Sequence, residues 1–156
     1  MENKNILVSV AWPYANGRIH IGHLAGCYLP ADIFARLNRM IGNNVLMVSG
    51  SDAHGTPVVI SALQEGKTPE ELFQYYDNDI NKTWSNLKIN FDLFTSTRTQ
   101  NHEEVVQNIF LDLLEKDLIY SKDMMLPYCE DCKRFLADRY VEGTCPNKDC
   151  NSKDAR

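Results

Sequence analysis

Two histidines three residues apart, His20 and His23, flank Gly22 directly behind an apolar run and an Asn-Gly pair. The run is Ile6-Leu7-Val8-Ser9-Val10-Ala11, and the stretch after it reads Pro13-Tyr14-Ala15-Asn16-Gly17-Arg18-Ile19-His20-Ile21-Gly22-His23. This pattern predicts a buried strand, a tight turn at Asn16-Gly17 and a helix that opens at the histidines. A helix N-terminus offers unpaired N–H groups and roughly half a positive charge. Residues i and i+3 share a helix face, so the two imidazoles and the free amides are expected to aim at one point. Gly22 allows a ligand close to the backbone. Such a donor set suits a phosphoryl group whose negative charge grows during reaction. The plainer alternative is a pair of turn histidines with ordinary surface hydrogen bonds.

A second group lies in Ser49-Gly50-Ser51-Asp52-Ala53-His54-Gly55-Thr56-Pro57. Asp52 is either a ligand-binding carboxylate or the side chain of an Asx-turn or helix cap ahead of Thr56. His54 is either a nucleotide contact or a group that satisfies the turn. Trp12 and Tyr14 alternate around Pro13 and should point the same way if the segment is extended, toward a ligand or into the core. A third group is Cys129-x-x-Cys132 followed, after twelve residues, by Cys145 and Cys150. Two short-spaced cysteine pairs across a short loop read as a closed, structural zinc knuckle or ribbon.

The elements that must carry these groups follow from periodicity. Leu24, Cys27, Ala31, Phe34, Leu37 and Ile41 recur at helical spacing, with Gly42 as a stop. Pro30 inside that helix predicts a kink or bulge. Asn44–Gly50 reads as a second buried strand, and strand, helix, strand with short links makes a parallel βαβ unit. Ligands bind such sheets beyond the carboxyl ends of the strands, where both the His20/His23 and the Asp52 groups fall. Thr68-Pro69-Glu70-Glu71 opens a further helix with a capping box, and Leu72, Tyr76, Ile80, Trp84 and Leu87 make its packing face. The neighbouring Tyr75 is also expected to pack. A helix around 101–116 is expected to turn Val106, Ile109, Phe110, Leu113 and Leu114 inward. Asp32, Arg36 and Arg39 form a charged stripe that is expected to face solvent. The texture changes near residue 118, which divides the chain into 1–118 and 119–156.

With 156 residues, 44% of them hydrophobic, the chain can bury one core and a small appendage. A net charge of −5 argues against a general nucleic-acid binder. No run of about 18 apolar residues suggests a membrane span, and no signal-peptide h-region follows Met1. Five cysteines, four of them crowded together, suit metal ligands in a reducing cytoplasm better than disulfides. Cys27 reads as a small buried residue.

The blocks around Trp12–His23 and Ser49–Pro57 together resemble the methionyl-tRNA synthetase family within the class I aminoacyl-tRNA synthetases, over essentially the whole chain. The fold this implies is α/β: the first half of a Rossmann-like nucleotide-binding parallel sheet, then the start of a small zinc-knuckle insertion. The resemblance implies that Asn16, Gly17, His20, Gly22 and His23 bind ATP, with His20 and His23 stabilising the transition state at the α-phosphate. It implies that Trp12, Tyr14 and Asp52 bind L-methionine, Asp52 through the ammonium. Mg2+ would accompany ATP as substrate and Zn2+ would be structural. The segment Phe135–Pro146 resembles the family's knuckle, whose second pair is commonly Cys-x-x-Cys; here Cys145 and Cys150 are two residues wider. Cys129, Cys132, Cys145 and Cys150 therefore form one site or two half-sites. The family's Lys-Met-Ser-Lys-Ser loop does not occur here. The resemblance thus implies an N-terminal part of a ligase acting on tRNA, completed by a further segment or a second chain. Two other readings stand beside it: another class I synthetase, and a non-catalytic zinc-binding interaction module with a vestigial ATP site.

Overall fold

The computed structural model describes residues 3–131 and 133–135. The chain divides into two compact units, Met1–Asp112 and Leu113–Arg156. In the first, strands β1 (Asn5–Ser9), β2 (Asn44–Ser51) and β3 (Leu93–Ser96) form a parallel sheet in the order β1-β2-β3. Leu7 pairs with Leu46 and Val48 with Leu93, so β2 is bonded along both edges. Val45 and Met47 are buried on one face, while Leu7, Leu46 and Leu93 remain exposed on the other, so β1, expected as a buried strand, alternates between exposed and half-buried residues instead. Sequence reading missed β3, whose four residues are too short to show a period.

Between β1 and β2 the chain is helical throughout, as α1 (Ile21–His23), a π-helical segment (Leu24–Tyr28) and α2 (Leu29–Met40). The π segment is the bulge that Pro30 predicts. Its wider turn sits where a proline lacks the N–H that would otherwise reach back one turn. Gly42, at φ 90°, ends the helix in a conformation that favours glycine.

Helix α3 (Thr56–Gln64) starts at Gly55, so Asp52 is not its cap. Helix α4 (Pro69–Leu87) begins with the expected capping box. Glu71 N–H donates to Thr68 Oγ1 at 3.2 Å, and Thr68 N–H donates to Glu71 Oε2 at 2.8 Å. Leu72, Ile80 and Trp84 of α4 are buried, whereas Leu87 and Tyr75 are exposed. Tyr75 instead accepts a hydrogen bond from Arg18 at 3.4 Å. The Trp84 ring lies 4.5 Å from that of Tyr28 and 6.2 Å from that of Phe94, and so ties α4 to the π segment and to β3.

Two expectations about faces are corrected. The charged stripe of α2 is only partly solvated: Asp32 is 6% exposed, Arg39 is half-buried, and Arg36, itself exposed, donates to Asp32 from Nε at 2.7 Å. Arg36 also donates to the Lys88 carbonyl, and Arg39 donates to Asp92 at 2.6 Å. The irregular stretch 88–92 lies against this face, and its polar groups require partners. Ala35 and Asn38 share the buried side, and Phe34, Leu37 and Ile41 are exposed. In α5 (Gln100–Glu115) no side chain is buried among the described residues, and Val106, Ile109, Phe110 and Leu114 are each about half exposed. An amphipathic stripe shows which face can be buried; only a packing partner buries it.

In the second unit, β4 (Tyr128–Cys129) and β5 (Arg134–Phe135) form an antiparallel hairpin. The rings of Tyr128 and Phe135 meet edge to face at 5.1 Å across it. Among the described residues, no helix is long and apolar enough to cross a membrane.

Trp84 is 3% exposed and joins three elements. Trp84→Ala is expected to cost about 3–5 kcal/mol, read as a shift of the denaturant midpoint; a loss below about 1 kcal/mol would show that the aromatic cluster is not a structural centre.

Candidate active site

The site begins where β1 ends. Val10 N–H still donates to Val48 O at 3.0 Å, after which the chain leaves β2 and returns to it four residues later. Asp52 N–H donates to Pro13 O at 2.8 Å and Ala15 N–H donates to Asp52 O at 2.9 Å, making a parallel bridge between Tyr14 and Asp52. The Ala11 carbonyl inside this detour accepts from the Tyr28 hydroxyl at 3.1 Å, and the single Ser49 hydroxyl proton is shared between it at 3.3 Å and the Val10 carbonyl at 3.2 Å. Burial, and next the nearby Cys27, push the Tyr28 phenol up to about 12, so it remains a donor at physiological pH. Gly50 is required here. A Cβ at that position would stand 2.7 Å from the Thr95 carbonyl oxygen and 2.9 Å from the Trp12 ring.

The helix mouth differs from the expectation of free amides. His20 is the N-cap, and its Nδ1 accepts the Gly22 N–H at 3.1 Å. His23 Nδ1 in turn accepts the His20 N–H at 3.3 Å. The rings stack 3.8 Å apart at 21°. The histidines thus form a reciprocal capping box, in which the imidazoles consume two of the amides that the helix would otherwise present. A neutral imidazole that accepts at Nδ1 carries its proton on Nε2. Each ring therefore keeps one donor, Nε2–H, for an incoming anion. Burial, and next the charge of His20, hold His23 below the usual histidine range.

Trp12, Tyr14, Asn16, Gly17 and His23 line one cavity of about 340 Å³, with Tyr28 in its wall. Trp12 and Tyr14 thus share a side, as their alternation predicts, and both are partly exposed. Neither His20 nor Asp52 lines that cavity. His54 lines a different one, of about 460 Å³, with Thr97, Arg98 and His102 at the start of α5. The Asp52 carboxylate does make an Asx-type contact: its Oδ1 accepts the His54 N–H at 3.0 Å. Oδ1 also faces the Thr97 hydroxyl at 3.4 Å. His54 Nε2 lies 3.4 Å from the Thr97 carbonyl, and its ring satisfies that turn. Sequence reading missed Tyr28 and Thr97, whose partners lie far away in sequence and which carry no motif.

Of the four proposed metal ligands, Cys129 lies in β4, while Cys132, Cys145 and Cys150 fall outside the described residues. Among the described residues, no group of three or more potential ligands could hold a metal. Lys133, just before β5 in the hairpin bearing Cys129, has φ 50°.

Parallel strands with a His-x-Gly-His helix mouth beyond the end of β1 define a Rossmann-like α/β unit, the class of fold in which ligands bind at the carboxyl ends of the strands. The family model described as tRNA synthetases class I (M) matches residues 6–156, and the chain belongs to that family. Curated relatives named methionine–tRNA ligase agree. The one from Roseiflexus sp. (strain RS-1) is 58% identical over 143 residues, covering 92% of this chain and 24% of the relative. That from Thermoplasma volcanium is 50% identical over 151 residues, covering 97% and 27%. The chain therefore spans about a quarter of the length of these relatives. Among solved structures, Mycobacterium tuberculosis methionyl-tRNA synthetase in complex with methionyl-adenylate superposes with a TM-score of 0.73 and 26% identity, covering 87% of this chain and 26% of that one. The Agrobacterium radiobacter K84 agnB2 LeuRS–tRNA–LeuAMS complex gives 0.77 and 27%, covering 90% and 18%.

The low His23 pKa has a defined sign. Below about 6.5 the unfolded chain binds a proton that the folded chain resists, so acidification through that range destabilises the fold. Protonation at Nδ1 also removes the acceptor of the His20 N–H. An imidazole NMR titration should place His23 below 6.5, with the His20 amide resonance moving in step; a His23 value at or above 6.5 would show that burial and His20 do not disfavour its charged form.

Proposed function

We propose that this chain supplies the ATP and methionine sites of a methionine–tRNA ligase. The reaction is activation of L-methionine to methionyl-adenylate, followed by transfer to tRNA. The observation that carries this reading is the pair of imidazoles whose Nδ1 atoms are occupied by backbone amides, which leaves two Nε2–H donors beside an aromatic cavity at the strand ends. In the proposed step a methionine carboxylate oxygen bonds to the α-phosphorus of ATP, and the bond to the bridging oxygen breaks to release pyrophosphate. His20 and His23 donate to the phosphate oxygens as charge accumulates, with no covalent role. Asn16, Gly17 and Gly22 leave room for the nucleotide, and Mg2+ enters with ATP as part of the substrate. Asp52 takes the ammonium. Trp12 and Tyr14 present aromatic faces to the thioether, each sulfur contact contributing about 0.3–1.5 kcal/mol.

Domain division follows the same reading, with 1–118 as the first half of the catalytic domain and 119–156 as the start of the zinc-binding insertion. Because the chain spans about a quarter of its relatives, the complete reaction and most tRNA contact draw on further polypeptide. We place this activity in the cytoplasm.

Methionine-dependent ATP–pyrophosphate exchange tests the reading, run on this chain alone and joined to the remainder of a relative's ligase. Exchange by the joined form, lowered about 10²–10³-fold by His20→Ala or His23→Ala, is expected. No exchange from a folded joined form would instead support a binding module without catalysis.

Cys129, Cys132, Cys145 and Cys150 are the proposed zinc ligands, as one tetrahedral site or two half-sites. A structural zinc in a module this small supplies much of its folding energy. Elemental analysis should find zinc bound to the chain, and chelation should speed amide exchange across β4 and β5. A metal-free chain with an equally protected hairpin would remove zinc from the reading.

A further inference from the structure

We infer that Thr97 is a positioning residue for Asp52, directing one carboxylate oxygen toward the substrate amine by keeping the other occupied. The inference rests on the proposed role of Asp52. Four bonds fix the Asp52 turn. Its backbone N–H and carbonyl are held by Pro13 and Ala15 at 2.8 and 2.9 Å, so the main chain cannot shift along β1. Its Oδ1 accepts from the His54 N–H at 3.0 Å and faces the Thr97 hydroxyl at 3.4 Å.

The direction of the Thr97 proton follows from elimination. The Ala53 N–H can only donate, and it points at Thr97 Oγ1 from 2.9 Å. That oxygen is therefore the acceptor for Ala53, and its single proton is left for Asp52 Oδ1. At 3.4 Å this second bond is long for an O–H to a carboxylate, and it has room to tighten when the opposite oxygen meets a cation. Thr97 is itself anchored at both ends: its N–H donates to Ser51 O at 3.2 Å, and its carbonyl accepts from His54 Nε2 at 3.4 Å. The carbonyl cannot donate, so the His54 proton sits on Nε2. Thr97 thus joins the ends of β2 and β3 through one residue. Oδ1 is saturated within the turn, and Oδ2 has no partner among these groups.

The test uses the exchange-competent joined form. Thr97→Val keeps the shape and removes the hydroxyl. It is expected to raise the KM for methionine by roughly tenfold or more, the size of one hydrogen bond to a charged group. The KM for ATP and kcat should stay within about twofold, because positioning of the amine site alone is lost. Thr97→Ser should restore the methionine KM. Inhibition by the methionine analogue that lacks the amino group should be insensitive to Thr97→Val, since that ligand makes no use of Asp52. An unchanged methionine KM, or equal rises for methionine and ATP, would overturn the inference. Because Thr97→Val also strips the Ala53 amide of its acceptor, the Thr97→Ser result stands as a separate check if the valine variant fails to fold: a methionine KM raised tenfold in that hydroxyl-bearing variant would likewise overturn it. Asp52→Asn separates the two levels. If it leaves the methionine KM unchanged, the role of Asp52 itself fails; if it raises the KM while Thr97→Val does not, only the positioning role fails.

Discussion

Everything at the strand ends depends on β2 being bonded along both of its edges. A parallel strand paired on one side only is free to twist and fray at its tip. Here the tip is held from the β1 side by Pro13 and Ala15 and from the β3 side by Thr97, so the Asp52 turn is suspended between two neighbours. The same doubly bonded strand brings Ser49 beneath the Ala11 carbonyl and forces residue 50 to be glycine. The aromatic cavity and the carboxylate turn are thus two outcomes of one pairing.

The helix mouth shows how a short motif can serve the fold and the ligand together. Each histidine has two ring nitrogens. One is used on the backbone, where it caps the helix, and the other retains a proton for a ligand. Capping fixes the tautomer, and the tautomer fixes which atom can donate. A lysine or arginine could supply charge but no acceptor for the backbone amide.

Much of this was readable in the residues. The strand–turn–helix at 6–23, the second strand, the Pro30 bulge and the Thr68 cap all leave local marks, since each depends on residues a few positions apart. What escaped reading depends on distant partners. The burial of Asp32, and the bonds of Arg36 and Arg39 to the stretch 88–92, depend on that stretch lying against α2, and no periodicity within α2 announces it. The exposure of α5 is equally unmarked, because a stripe of Val106, Ile109 and Phe110 looks the same with or without a packing partner. Thr97 and Tyr28 act on groups of residues far away in sequence, and such contacts carry no spacing rule. The paired imidazoles were legible as a site, but their bonds to the amides were not, because spacing alone does not choose between the two ring nitrogens.

The π-helical segment at Leu24–Tyr28 adds a residue to the helix. Each residue in a helix advances its neighbours by about 100°. The histidines sit on one side of this segment, and the face of α2 that packs on the sheet sits on the other. The five residues of the wider π turn cover nearly the rotation that four cover in a regular helix. The extra residue is therefore absorbed where it stands, and His20 and His23 keep almost the phase relative to Ala35 that a regular helix one residue shorter would give them. The irregularity is confined to its own widened turn and is not passed on to the aim of the imidazoles.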